Sequence, residues 1–266
     1  IINNVPGAPI QMVGGAQGTN VTIPVFMISD VDGATLKAEM EACSGTTAFI
    51  GSKSGFYGSD LGIYPEHVLR AENFGNIQEL SQDASEFEVQ LGAWVINYGS
   101  NDQTNVTLQC QVDNGSVIYD NTSTPEALIP SGDSVFVALP TFTQASYANG
   151  YYNVTYTIAS DSTDEYPDDN DINADFVMSD SIFSYGYLDA ASLAPIGQNY
   201  FRAANSTATN SSCMAFRDPN ASRIAINGMT FSATTQDPNT LDGEFVQAFA
   251  YEWNDNFVDL NDANYG

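Results

Sequence analysis

From Glu86 onward, apolar and polar residues alternate with a period of two. Phe87, Val89, Leu91, Ala93 and Val95 are separated by Glu88, Gln90, Gly92 and Trp94. Successive side chains of a strand point to opposite faces, so this pattern predicts a strand with one buried face. The alternation returns at Val106, Leu108, Cys110 and Val112, and again at Tyr152, Val154, Tyr156 and Ile158. Val117-Ile118-Tyr119 and residues 135–139 read as two further strands. Turn-forming clusters lie between them: residues 97–102, Asp113-Asn114-Gly115, and Pro130-Ser131-Gly132-Asp133. Strands separated by such turns across residues 86–175 predict an antiparallel β-sandwich.

The pattern changes on either side. Residues 21–28 form a near-continuous apolar run, as in a strand buried on both faces. Residues 30–33 read as a turn supplying a helix N-cap, followed by a helix over residues 34–43. Leu36, Met40 and Cys43 would form one apolar stripe on it. Gly45 is placed to end the helix, and residues 46–51 read as a short strand. Residues 56–85 are rich in Gly, Tyr and Asp and read as a connector holding His67 and Arg70. Residues 176–183 begin a third segment of β pattern. Ile224, Ile226, Met229 and Phe231 flank an Asn227-Gly228 turn, and aromatics alternate over residues 243–253.

Three stretches resemble known families. Asn3-Asn4-Val5-Pro6-Gly7-Ala8-Pro9, Ile23-Pro24-Val25-Phe26-Met27-Ile28-Ser29 and Asp32-Gly33-Ala34-Thr35-Leu36 together resemble the second half of a protease-associated (PA) domain. PA domains are non-catalytic lids or interaction modules of exported proteins. Residues 92–115, 128–135 and 151–171 resemble the CARDB-type, immunoglobulin-like modules of bacterial surface proteins, which act as spacers and adhesion units. Residues 243–253 are similar to the opening of a jelly-roll-like module found in large Bacteroidota proteins exported by type IX secretion. The expected fold class is therefore mainly β: an Ig-like sandwich flanked by a partial α/β PA-like module and a second, jelly-roll-like sandwich. The expected segments are 1–55 (partial PA-like), 56–85 (connector), 86–175 (CARDB/Ig-like) and 176–266 (jelly-roll-like). The chain begins at Ile1, not Met, and both end segments lack part of their expected elements. That reads as a processed chain or a piece of a longer one.

Charge changes the picture of partners. The 266 residues carry 33 Asp and Glu against 6 Lys and Arg, a formal −27. Nucleic acid and anionic membrane need a cationic footprint, so neither is expected as a partner. No run approaches the roughly 18 apolar residues of a membrane span. Dense carboxylates with little Lys favour an extracellular or cell-surface location in a salty medium. Eight N-x-S/T sequons, at Asn20, Asn105, Asn114, Asn121, Asn153, Asn205, Asn210 and Asn220, point the same way. So do the triplets at Asp133, Asp161 and Asp180, which resemble the O-glycosylation triplet of secreted Bacteroidota proteins. Three distant cysteines, Cys43, Cys110 and Cys213, argue against a disulfide framework and are expected to be free thiols.

The chemistry is sparse. One histidine, His67, excludes His-rich metal sites, and no G-x-S-x-G lies beside it. Gly51-Ser52-Lys53-Ser54-Gly55 lacks phosphate-loop spacing and reads as a turn. One cluster stands out: Asp161, Asp164, Glu165, Asp168, Asp169, Asn170 and Asp171. Hard oxygen donors in one loop suit Ca²⁺, so Asp161, Asp164, Asp168, Asp169 and Asp171 are the candidate ligands. The alternative is a solvated acidic linker, and Asp30 with Asp32 reads as a helix cap. No enzyme activity is expected. The chain reads as a structural or adhesive segment of an extracellular surface protein or filament. The alternatives are an accessory region of a secreted peptidase and a carbohydrate-binding module. The expected partners are like subunits, other modules of the same long chain, or surface glycans.

Overall fold

In the computed structural model the described residues are 20, 25, 27–42, 53–196, 214–231, 233, 240–243, 245 and 247–252. Cys43, Cys213, residues 46–51 and the first part of the PA-like pattern lie outside them. So does most of the apolar run over residues 21–28.

The alternating segments form long strands because one face of each can be buried against another sheet. Strands β3 (Val89–Asn97), β4 (Gln103–Asp113) and β8 (Gly150–Ala159) carry the period of two. Val89, Leu91, Ala93, Val95, Val106, Leu108, Cys110, Val112, Val154 and Tyr156 are all nearly inaccessible. The shorter strands are β1 (Leu61–Gly62), β2 (Gly75–Ile77), β5 (Val117–Thr122), β6 (Glu126–Ile129), β7 (Ser134–Phe142), β9 (Asp171–Asn173) and β10 (Phe176–Ser179). One sheet has the order β1-β3-β7 and the other β2-β10-β8-β4-β5. β6 shares an edge of β4 with β5, and β9 shares the opposite edge of β8 with β10. All pairings are antiparallel except β2 with β10. A single apolar core joins residues of both sheets. Its aromatic centre is Phe142, Tyr147, Tyr152 and Phe176, with Tyr152 and Phe176 stacked 4.6 Å apart. The protein is mainly β, and its described body is a two-sheet sandwich.

The sandwich extends past both expected boundaries. Residues 56–85, expected as a connector, supply β1 and β2 and bury Leu61, Ile63, Val68, Phe74 and Leu80. Two- and three-residue strands are too short to show a period, so the sequence reads as a loop there. The segment is held by both side-chain and backbone groups of the long strands. Tyr156 Oη donates to Leu69 O at 2.8 Å, and Leu69 N donates to Gly92 O at 2.8 Å. Residues 176–179, expected to open a separate module, pair with β8 and β2 and complete the second sheet. In the third segment, Ile226, Met229, Phe231, Phe245, Phe249 and Tyr251 are exposed, and no strand forms among its described residues beyond β10.

Helix α1 (Asp30–Ala42) covers the expected helix but starts four residues earlier, taking in as its first turn the residues expected as a preceding turn. Its cap is Ser29, whose Oγ accepts from Asp32 N at 2.9 Å and donates to Asp32 Oδ2 at 2.6 Å. Asp32 therefore supports the cap from inside the first turn, its carboxylate accepting from the capping hydroxyl. The expected stripe is not buried: Leu36 and Met40 are 38% and 61% exposed.

Cys110 is a free thiol on the inward face of β4. Burial pushes it up to about 12, with Asp120 adding to the rise. The thiolate is the nucleophile, so alkylation of Cys110 in the native protein is expected to be negligible at neutral pH. It should become rapid in denaturant. Fast labelling of Cys110 in the folded chain, followed by peptide mapping, would contradict this packing.

Candidate functional site

The chemistry of the sandwich concentrates at one end, where three turns meet. The first turn carries Lys53, one of only two lysines in the chain. Phe56 N donates back to Lys53 O at 2.9 Å, so Ser54 and Gly55 form the expected turn. The second element is Asp60, immediately before β1. The third is the loop after β8, which contains the 3₁₀ turn Pro167–Asp169. Lys53 Nζ bonds Asp60 Oδ1 at 2.9 Å and also contacts Asp169 Oδ2. The Asp60 side chain is fully buried, and that of Asp169 is 11% exposed. Tyr98 and Tyr166 enclose the ammonium, with ring centroids 4.3 and 4.9 Å from Nζ, and Tyr64 stands at 5.9 Å. A cation against aromatic faces gains from the ring quadrupole, most of all where water is excluded.

Backbone bonds place these groups. Asp60 O accepts from Tyr98 N at 2.7 Å and Gly99 N at 3.0 Å, which ties the start of β1 to the β3–β4 turn. Gly99 has no side chain for a reason: a Cβ there would lie 2.6 Å from Gly58 O and 2.9 Å from Asp60 N. Gly62 leaves the space for the Asp169 carboxylate, since its Cβ would meet Asp169 Oδ2 at 2.5 Å. Ile63 N donates to Asp169 O at 3.0 Å, fixing the loop along β1.

The electrostatics follow from burial. Burial pulls the Lys53 ammonium down, but the hydrogen bonds and charges of Asp169 and Asp60 outweigh it and hold the group above the usual lysine range. Burial pushes Asp60 above the usual carboxylate range. The Lys53 hydrogen bond and charge offset part of this, and the charges of Asp169 and Asp164 add to it. Burial also pushes the Tyr98 phenol up to about 12. Asp60 Oδ2 and Asp169 Oδ1 are buried without a hydrogen-bond partner.

The five expected calcium ligands do not form a cage. Asp161 Oδ2 accepts from Asn105 Nδ2 at 2.5 Å, and Asp164 Oδ2 accepts from Leu61 N at 2.8 Å. Asp169 faces Lys53, and Asp171 Oδ1 accepts from Thr157 Oγ1 at 2.5 Å. Asp168 is exposed in the 3₁₀ turn. The neighbouring Glu165 Oε1 accepts from Gly58 N and Ser59 N at 2.9 and 3.0 Å. Protein donors thus occupy at least one oxygen each of Asp161, Asp164, Glu165, Asp169 and Asp171, while Asp169 Oδ1 has no partner. Among the described residues no three acidic, histidine or cysteine side chains lie close enough to hold an ion. Excess chelator is therefore expected to leave the melting curve unchanged, since a ligand bound to the native state would otherwise raise it. A fall in melting temperature on chelation would restore a cation to this loop.

His67 packs against Tyr64 with ring centroids 5.8 Å apart, in the turn Pro65–His67. Sequence reasoning missed the pairing of Lys53 with Asp60 and Asp169. A signal was present: a lysine is rare in this chain, and this one sits among glycines and aromatics just before an aspartate.

No family model matches the chain, and no curated protein matches it. Among solved structures it is similar to a CARDB domain from Pyrococcus furiosus, crystallised in complex with di-metal ions. The identity is 12%, covering 50% of this chain and 100% of that one, with a TM-score of 0.33. A cell-surface-protein domain from Methanosarcina acetivorans matches at 20% identity over 46% of this chain and 92% of its own, with a TM-score of 0.29. The C-terminal domain of Wzt matches at 13% identity over 60% of this chain and 100% of its own, with a TM-score of 0.24. No helix among the described residues is long and apolar enough to cross a membrane.

Proposed function

We propose that the chain is a non-catalytic structural and adhesive module of an extracellular bacterial surface protein or filament. The observation that carries this reading is the use made of the polar groups at the Lys53 end. Asp164, Glu165 and Asp169 bind backbone N–H groups or the lysine of residues 53–61. These bonds join the segment that opens the sandwich to a loop close to its last strands. Such groups stiffen a spacer and leave few donors and acceptors for a substrate. Immunogold labelling of intact cells of the producing organism tests the location. Label on the outer surface is expected, and label confined to the cytoplasm would overturn the reading.

Like copies are the proposed partners. Repulsion at −27 weakens as salt screens it, so association measured by sedimentation should rise with ionic strength. A monomer at every salt concentration would count against a filament role. A second reading rests on the outer face of the β1-β3-β7 sheet. There Trp94 and Phe136 are 47% and 38% exposed, with rings 5.7 Å apart. Exposed aromatic faces of this kind stack on sugar rings. If the adhesive target is a glycan, Trp94→Ala should abolish retention on a glycan array without changing the melting temperature.

A further inference from the structure

We propose that Lys53 and Asp169 condense into an intramolecular amide, with Asp60 carrying the proton. The geometry assembles every group this step needs. Lys53 Nζ lies in contact with Asp169 Oδ2, and Asp60 Oδ1 faces the same nitrogen from 2.9 Å. Tyr64, Tyr98 and Tyr166 surround the nitrogen. Gly62 supplies the room in which the Asp169 carboxylate is held against the lysine.

The step balances without any co-reactant. Asp60 accepts a proton from the Lys53 ammonium. The resulting amine attacks Asp169 Cγ, and a C–N bond forms. Asp60 returns its proton to one Asp169 oxygen, and the nitrogen gives up its second proton to the same oxygen. The C–O bond breaks, one water leaves, and Asp60 ends as it began. Burial, which raises the proton affinity of Asp60, makes it the carboxylate suited to hold the proton in transit. Fixed contact between amine and carboxyl substitutes for chemical activation. Well-oriented intramolecular pairs reach effective concentrations of about 10⁵–10⁸ M.

Burial also favours the product. As an ion pair the cluster leaves a charged Asp169 oxygen, Oδ1, buried and unpartnered. An unpaired buried charge is far costlier than an unpaired neutral carbonyl. The amide turns that carboxylate into a carbonyl and removes the ammonium, and the buried Asp60, no longer offset by the lysine, takes up a proton from solvent, so no unpaired charge is left. It also closes a covalent loop over 116 residues of chain, from before β1 to beyond β8. Such a loop removes freedom from the unfolded chain as a disulfide does, and no reductant opens it.

Intact mass spectrometry of the denatured full chain tests the proposal. The chain is expected one water lighter than its sequence, with a branched peptide joining Lys53 to Asp169. Lys53→Arg, which keeps a cation against both carboxylates, should have the full mass, as should Asp169→Ala. Asp60→Asn should also retain the water, which separates proton transfer from mere proximity. A wild-type chain of full mass overturns the proposal, whether or not the variants fold. So does a water loss that survives Lys53→Arg, or a branch at any other pair. Water loss surviving in Asp60→Asn overturns the role of Asp60. Surface labelling is unaffected by any of these results, so the proposed function stands or falls separately.

Discussion

Phe142→Ala is expected to destabilise the protein by about 3–5 kcal/mol, the range for removing a large buried aromatic side chain. Phe142 ends β7 and is fully buried between the sheets. Its ring meets Tyr119, Tyr147, Tyr152 and Phe176 at centroid distances of 5.7 to 6.4 Å. Two of those neighbours cannot collapse into the cavity without losing other bonds. Tyr147 Oη donates to Phe87 O at 2.7 Å, and Tyr119 Oη donates to Pro140 O at 2.6 Å. The lost contacts and the unfilled space therefore add. Against a total stability of about 5–15 kcal/mol, this loss removes a large share. Urea unfolding should show a lower midpoint with an unchanged slope, since the surface exposed on unfolding hardly changes. A loss below about 1 kcal/mol, smaller than most core truncations, would mean that the two sheets do not meet at Phe142.

Lys53→Met is expected to cost about 3–5 kcal/mol at neutral pH, as for other buried pairs broken by removal of one partner. Methionine fills most of the lysine volume, so the effect is electrostatic. It leaves Asp60, fully buried, and Asp169 facing each other without a cation. The sign of the pH dependence follows from Asp60. Its folded-state value is already raised by burial, and the lysine that partly offsets this is gone in the variant. A carboxyl whose folded value is raised supports folding most below its unfolded value and loses that support as pH rises through the folded value. The penalty of Lys53→Met should therefore be largest at neutral pH and shrink as pH falls towards the ordinary carboxylate range. Asp60→Asn added to Lys53→Met should recover part of the loss. Lys53 itself, held above its usual range, contributes throughout neutral pH and loses its contribution only under strongly alkaline conditions. A penalty that grows on acidification would contradict this assignment. This pH dependence is that of the ion pair; where the amide has formed, Lys53→Met removes the covalent loop instead, and the loss does not follow the titration of a lysine.

The local alternation of side chains determined the inward faces of the long strands. Val106, Leu108, Cys110 and Val112 point into the core as their spacing requires, and so do Tyr152, Val154, Tyr156 and Ile158. A period of two is a property of neighbouring residues, so it can be read without knowing any partner. Helix α1 was legible for a similar reason, although the capping role passes from the expected aspartates to Ser29. The acidic loop was legible as a concentration of carboxylates, but its chemistry was not. Asp161 turns to Asn105, Asp164 to Leu61, Asp169 to Lys53 and Asp171 to Thr157, each on a different element. The direction of each carboxylate depends on which donor the fold brings beside it. The short strands β1 and β2 and the pairing of β10 were equally hidden, because their stability comes from partners far along the chain. Only the tertiary structure brought Lys53 to Asp169 across 116 residues. The closure of that distance is set by packing of the two sheets, and no local pattern encodes it.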